Sequence, residues 1–300
     1  MAVDQYYGWL EDSSIGRLLA GDRHRLLILL PVGLLAVTFL FPLMMIVYSS
    51  FFGPLYKTPS FGLNGYQFLA SDYFGTLVKT VEFAVFTTLA TFVMALPVAF
   101  YMRDATRRGR ILAAVTLLAP LMVNIIIRNY GWVAILFEGG ILNQWLLSTG
   151  VIDSPLQLVR NELGVYIGLV HVFLPFVALP IFSVLDSFDQ SIEEAARVHG
   201  ATRVQTFVHV TLPNLLPGII AGSTIVFVLT LGVYVTPIIM GGNLVITLPM
   251  SIRQFTSELL DWRFATASAT VLLTIALITI IGLNRISERT SGQSILEGRA

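Results

Sequence analysis

The chain has 300 residues, 55% of them apolar and 12% charged, with a mean hydropathy of +0.79. An average soluble domain carries roughly 25% charged residues, so this composition excludes an ordinary soluble globule and a disordered chain. Eighteen basic and eighteen acidic side chains cancel, which offers no bulk attraction to nucleic acid, and the absence of Cys excludes disulfides, zinc–thiolate sites and thiol nucleophiles.

A helix needs about 20 apolar residues to cross roughly 30 Å of hydrocarbon. Gaps between charged residues place six such stretches at 26–50, 77–101, 111–137, 164–185, 215–240 and 264–283. The expected fold class is therefore all-α and polytopic, with a segment 1–25 before the membrane domain of 26–285 and a tail at 286–300. The first stretch is about twice the 7–15 residues of a signal-peptide core and no A-x-A site follows it, so it is expected to be retained. Tyr6, Tyr7 and Trp9, with Leu18 and Leu19, fit either the inner membrane surface or the underside of the bundle.

Six crossings put both termini on one side. Twelve of the eighteen Lys and Arg residues fall on that side: Arg17, Arg23, Arg25, Arg103, Arg107, Arg108, Arg110, Arg197, Arg203, Arg285, Arg289 and Arg299. The positive-inside rule then makes both termini cytoplasmic. Lys57 and Lys79 are the only lysines, and neither sits in G-x-x-x-x-G-K-[ST], so no phosphate-cradling P-loop is present. No H-E-x-x-H or G-x-S-x-G occurs either, which leaves an intramembrane enzyme without its nucleophile or metal ligands.

The loop between the fourth and fifth spans, Asp186 to Pro213, reads as two helix starts. Ser191-Ile-Glu-Glu194 fits a capping box, Ala195 and Ala196 continue that helix, and Gly200 ends it. Glu193 and Glu194 suit the positive end of its dipole. Thr202-Arg-Val-Gln205 fits a second box, followed by an apolar face of Val204, Phe207, Val208 and Leu212 that Pro213 is expected to stop.

Glu194-Ala195-Ala196, three residues, Gly200, nine residues, then Val210-Thr211-Leu212-Pro213 resembles the EAA motif of ABC importer permeases, E-A-A-x3-G-x9-I-x-L-P, with Val210 in the usual Ile position. Arg128-Asn-Tyr130-Gly-Trp132 with Gly140-Ile-Leu-Asn143, and Leu231-Gly232-Val-Tyr234-Val-Thr236-Pro237 with Gly241-Gly242, are similar to spermidine/putrescine-type (MetI-like) permeases. The resemblance covers roughly 26–285 and implies the type I ABC importer permease fold in a bacterial inner membrane. It implies a non-enzymatic subunit whose ATP and Mg are bound by two cytoplasmic ATPase subunits. A second permease subunit, similar but not identical, and a periplasmic substrate-binding protein would complete the assembly. No cofactor, metal or nucleic acid is expected on this chain.

The same resemblance makes Ser191 to His199 a coupling helix. Its ATPase-coupling set is Glu193, Glu194, Ala195, Ala196, Gly200, Ala201, Phe207, Leu212 and Pro213. Glu194 is expected to serve a basic residue of the ATPase, its own helix cap, or both. The binding protein would dock on Phe51 to Gly75, Glu138 to Glu162 and Gly241 to Arg263, and Gly241, Gly242 and Pro249 suggest that the last of these folds back into the bundle.

Ionisable groups inside spans are functional candidates by default. Lys79 and Glu82 lie three apart on one helix face, and Arg128 falls at similar depth, so a Lys79–Glu82–Arg128 network is expected, either fixing helix packing or, through Glu82, meeting substrate. A polycationic substrate calls for carboxylates, hydroxyls and aromatic faces; candidates are Glu82, Tyr130, Trp132, Thr230, Tyr234 and Thr236. His171 reads as a satisfied bundle histidine. The substrate class stays open between polyamines and the opines, aminophosphonates, thiamine or ferric iron that similar permeases carry. An ion-coupled secondary transporter is the competing class, but its midplane carboxylates are lacking, since Glu82 is off-centre.

Overall fold

A bilayer core offers no water to unsatisfied backbone groups, so apolar crossings must close their hydrogen bonds within helices. The computed structural model describes residues 14–54, 56 and 58–297 and builds them from helices and turns. Tyr6, Tyr7 and Trp9 lie outside the described residues. The long helices are α1 (Ser14–Phe52), α3 (Phe74–Asp104), α7 (Glu162–Ser187), α10 (Leu212–Leu231) and α12 (Trp262–Glu297). Between them lie α2 (Asn64–Asp72), α4 (Arg107–Met122), α5 (Ile125–Leu136), α6 (Ile141–Ser148), α8 (Gln190–Val198), α9 (Arg203–Thr206) and α11 (Leu248–Ser257). Among the described residues, six stretches are long and apolar enough to cross a membrane: Pro31–Phe52, Phe74–Asp104, Ile125–Ser148, Glu162–Ser187, Arg203–Leu231 and Trp262–Ser287.

Helix α7 is the central post. Its Val165, Leu169, Val177, Ile181 and Leu185 form a core with Ala95, Ala99 and Met102 of α3 and Leu215 and Val226 of α10. Small residues bring backbones together where lipid supplies no hydrophobic drive between helices. Gly218 and Gly222, one turn apart on α10, face Pro180 and Val177 of α7 in this way. A second cluster seals the opposite flank, where Phe68, Tyr73, Phe255 and Phe264 interlock with ring centroids 4.2 to 6.0 Å apart.

Three expectations change. The third span is not one helix over 111–137: it breaks at Val123-Asn124, both extended in ψ. Pro120 has no N–H to continue the ladder, and the Asn124 side chain restarts it by accepting the Ile126 N–H at 2.9 Å. The fifth span ends at Leu231 instead of 240. Beyond Gly232 the chain makes a wide turn at Pro237–Gly241 and folds back, burying Val245 and Leu248, and the Leu248 N–H reaches Thr80 Oγ1 at 2.8 Å. Pro213 does not stop a helix. The path Arg203–Leu231 continues through a wide turn at Phe207–Thr211, which absorbs the hydrogen bond that proline cannot make.

Asn143 pins the loop between α6 and α7. Fully buried, it donates to the carbonyls of Phe137 at 3.0 Å and Leu156 at 2.9 Å and accepts the Leu156 N–H at 2.7 Å. Asn143→Leu leaves the Leu156 N–H and the Phe137 and Leu156 carbonyls without this partner, a cost of about 1–3 kcal/mol. Hydrogen exchange at Leu156 should rise by about tenfold or more, with exchange in α7 unaltered; equal protection in the variant would contradict this role.

Candidate functional site: an exposed elbow and two polar clusters

The loop Asp186 to Pro213 forms an elbow at one end of the bundle. Helix α8 is capped by Asp189, whose side chain accepts the Ser191 N–H at 2.9 Å, and not by Ser191 as the sequence suggested. The carboxylate lies two residues earlier and takes the Ser191 N–H itself, so the helix already begins at Gln190. That backbone N–H, followed by the Ser191 hydroxyl, holds the Asp189 carboxyl below its usual range. Glu194 is thus released from capping and is exposed. At the other end Gly200 adopts φ +90°, and the pair Ala201 N–H to Ala196 O (3.1 Å) and Gly200 N–H to Arg197 O (3.0 Å) closes the helix. The Thr202–Gln205 box forms as the spacing implied.

No residue of α8 is buried. Ile192 is 47% and Val198 84% exposed, and Val204 and Val208 beside them are exposed as well. Val204 and Val208 therefore do not form an inward face: the wide turn rotates Thr206, Thr211 and Leu215 inward instead. Of the expected coupling set, Glu194, Ala195, Gly200 and Pro213 are exposed, while Ala196, Ala201, Phe207 and Leu212 are half-buried. Glu193 turns inward, taking the Thr211 hydroxyl at 2.7 Å and Arg103 at 3.4 Å. Nearby, Arg110 pairs with Asp186 at 3.0 Å and donates to the carbonyls of Met102 and Arg103. Sequence reading passed over Arg103, Arg110 and Thr211; their partners lie too far along the chain for local spacing to reveal.

The expected Lys79–Glu82–Arg128 network is corrected. Lys79 bridges Glu82 at 3.2 Å and Glu162 of α7 at 2.5 Å. Arg128 instead donates to the carbonyls of Pro120 (2.7 Å) and Val123 (3.3 Å), which the helix break leaves without amide partners. The missed member, Glu162, had a signal in the sequence: it is an acid in the first turn of a span.

The remaining pathway candidates separate. Trp132 donates its indole N–H to His171 at 3.1 Å, so the histidine is satisfied within the bundle. Thr230 bonds the Val226 carbonyl of its own helix, and Thr236 pairs with Asn129, at 3.2 Å. Both threonines are buried within the chain's own packing. Tyr130 and Tyr234 are exposed. Tyr130 lines a groove of about 730 Å³ with Gln157, Arg160 and Gly242. No cluster able to hold a metal exists among the described residues.

Comparison with known proteins gives this arrangement its context. The family described as binding-protein-dependent transport system inner membrane component matches residues 68–290. The spermidine/putrescine transport system permease protein PotB of Escherichia coli (strain K12) is 32% identical over 256 residues, 84% of this chain and 91% of that protein. The protein of the same name in Haemophilus influenzae is 29% identical over 252 residues, covering 83% and 82%. A bacterial ABC transporter that imports the acidic polysaccharide alginate superposes with a TM-score of 0.74 at 19% identity, over 92% of this chain and 99% of that one. An amino acid ABC transporter superposes at 0.52 with 14% identity, over 77% and 99%. The exposed elbow after α7 thus sits in the fold of ABC importer permeases, and the chain belongs to the binding-protein-dependent transport system inner membrane components.

Proposed function

We propose that the chain is one of two permease subunits of a polyamine importer, carrying spermidine or putrescine by alternating access. The observation that carries this reading is α8: a capped, exposed helix with no buried residue of its own, bearing the EAA spacing at the elbow. It is a docking element for a cytoplasmic ATPase subunit. ATP and Mg reside on two such partners, and this chain lends them a lever. Both termini are cytoplasmic, in line with the distribution of Arg and Lys. The opposite end, with the 730 Å³ groove, receives a periplasmic binding protein.

Two observations support a polyamine over other solutes. Relatives matched over most of their length carry that transport name, and the outer ends of α3 and α7 hold two carboxylates against one ammonium, a net negative site. The test is uptake of labelled spermidine by the complete complex in proteoliposomes, with putrescine, an opine, an aminophosphonate, thiamine and ferric iron as competitors. Spermidine transport that putrescine alone suppresses supports the reading; transport of another solute in its place overturns it.

Glu82→Gln checks the site. It should raise the KM for spermidine by about tenfold, the worth of one charged contact, while the ATPase subunits stay bound. Unchanged uptake kinetics would assign Glu82 to packing between α3 and α7.

A further inference from the structure

Helix α8 has almost no purchase on the bundle. It buries no apolar residue, and its chain connections are the extended Phe188 at one end and the Gly200 turn at the other. A force on such a helix would swing it about its ends without moving the spans, unless something braces it. The brace visible here is Glu193, whose side chain is 14% exposed. Its Oε1 accepts from Thr211 at the entry to α10 and from Arg103 at the foot of α3. Arg103 is itself held: its guanidinium lies 4.9 Å from the Phe100 ring, and Phe100 packs on Phe207 of the wide turn at 6.0 Å. One carboxylate thus joins its own helix to two others, through residues 90 and 18 positions from it in sequence.

Resting on the docking role proposed above, we propose that Glu193, Arg103 and Thr211 form a strut that transmits movement of α8 into α3 and α10. These are positioning residues: none of them touches substrate or nucleotide. Helix α3 is the natural recipient. It runs unbroken for 31 residues, about 46 Å at 1.5 Å per residue. Its far end carries the Lys79–Glu82–Glu162 cluster and the Thr80 hydroxyl that holds the folded-back Leu248. A shift at Arg103 therefore reaches both the charged cluster and the α10–α11 segment through rigid helix and hydrogen bonds. Glu193, next to the exposed Glu194, has a different task from it. One carboxylate faces outward to the motor and the other ties the helix to the load.

The chain contains no Cys, so single-Cys reporters serve in an otherwise Cys-free complex. Val198→Cys, at an 84% exposed position, reports docking by cross-linking to the ATPase subunit. Gly131→Cys, at a position with open space around it on α5, reports the state of the spans through its maleimide rate with and without ATP–vanadate trapping. Arg103→Gln should keep the cross-link and reduce the nucleotide-induced change in maleimide rate about tenfold, the factor of one charge-assisted contact. Thr211→Val, which removes one hydroxyl at constant volume, should move the same reading in the same direction by a smaller factor. It decides the matter if Arg103→Gln fails to assemble. A full nucleotide response in Arg103→Gln, or in Thr211→Val where that variant decides, overturns the strut, as does loss of the cross-link in an Arg103→Gln subunit that still folds and inserts normally. Absence of the cross-link in the parent complex would instead overturn the docking role on which the strut rests.

Discussion

Replacing Gly222 with Leu should abolish the folded subunit. A Cβ at this position would lie 2.7 Å from the Val177 Cα and 2.9 Å from the Phe176 carbonyl oxygen. Both are backbone atoms of α7, so no side-chain rotation relieves the clash. At Gly218 a Cβ would meet the Pro180 carbonyl at 2.8 Å. Overpacking a close-packed interior costs typically about 1–3 kcal/mol, and Leu here must drive α10 off the central post. Detergent-solubilised Gly222→Leu should lose its monodisperse peak or melt at least about 5 °C lower. Gly222→Ala should give a smaller loss of the same sign, since the Cβ alone already clashes. Gly282→Ala is the control. That glycine has open space around it in α12, and alanine there should be neutral or stabilising. A normal melt for Gly222→Leu would show that α7 and α10 do not pack as described.

Much of this architecture is written in local pattern, and what is not has a common cause. Apolar stretches of span length became helical, the third in two pieces, because lipid leaves the backbone no other option. The Gly200 turn and the Thr202–Gln205 box formed because their partners lie within a few residues. The break at Val123-Asn124 was hidden because hydropathy is indifferent to a change in ψ. Pro120 followed by Asn124 was the available clue, a missing donor and then a fresh cap. Arg128 was expected beside carboxylates, yet the break supplied carbonyls within its reach. Glu162 and Glu193 found their partners across the fold, where no sequence spacing points. Thr230 and Thr236 were chosen as hydroxyls near an expected path, and burial consumed both in internal hydrogen bonds.

Val198→Asp should silence transport while leaving the subunit itself intact. Val198 is the most exposed apolar side chain of α8 and ends that helix. If an ATPase groove receives α8, this position enters it, and an unpaired carboxylate would have to shed its water there. A buried unpaired charge costs several kcal/mol, enough to reduce uptake by about 100-fold or more. In the isolated chain the substitution disturbs nothing, because the side chain projects into solvent. Its melting temperature and membrane insertion should therefore match the parent. Glu194→Ala tests the adjoining charge: freed from capping by Asp189, it has no internal role to lose. Its removal should lower uptake by about tenfold through one lost charged contact, with the melt again unchanged. Co-purification of the ATPase subunits separates the alternatives. Their loss from Val198→Asp locates the motor on α8. Their full retention with full uptake would show that the motor grips the chain elsewhere and that the exposed valine is an ordinary surface residue.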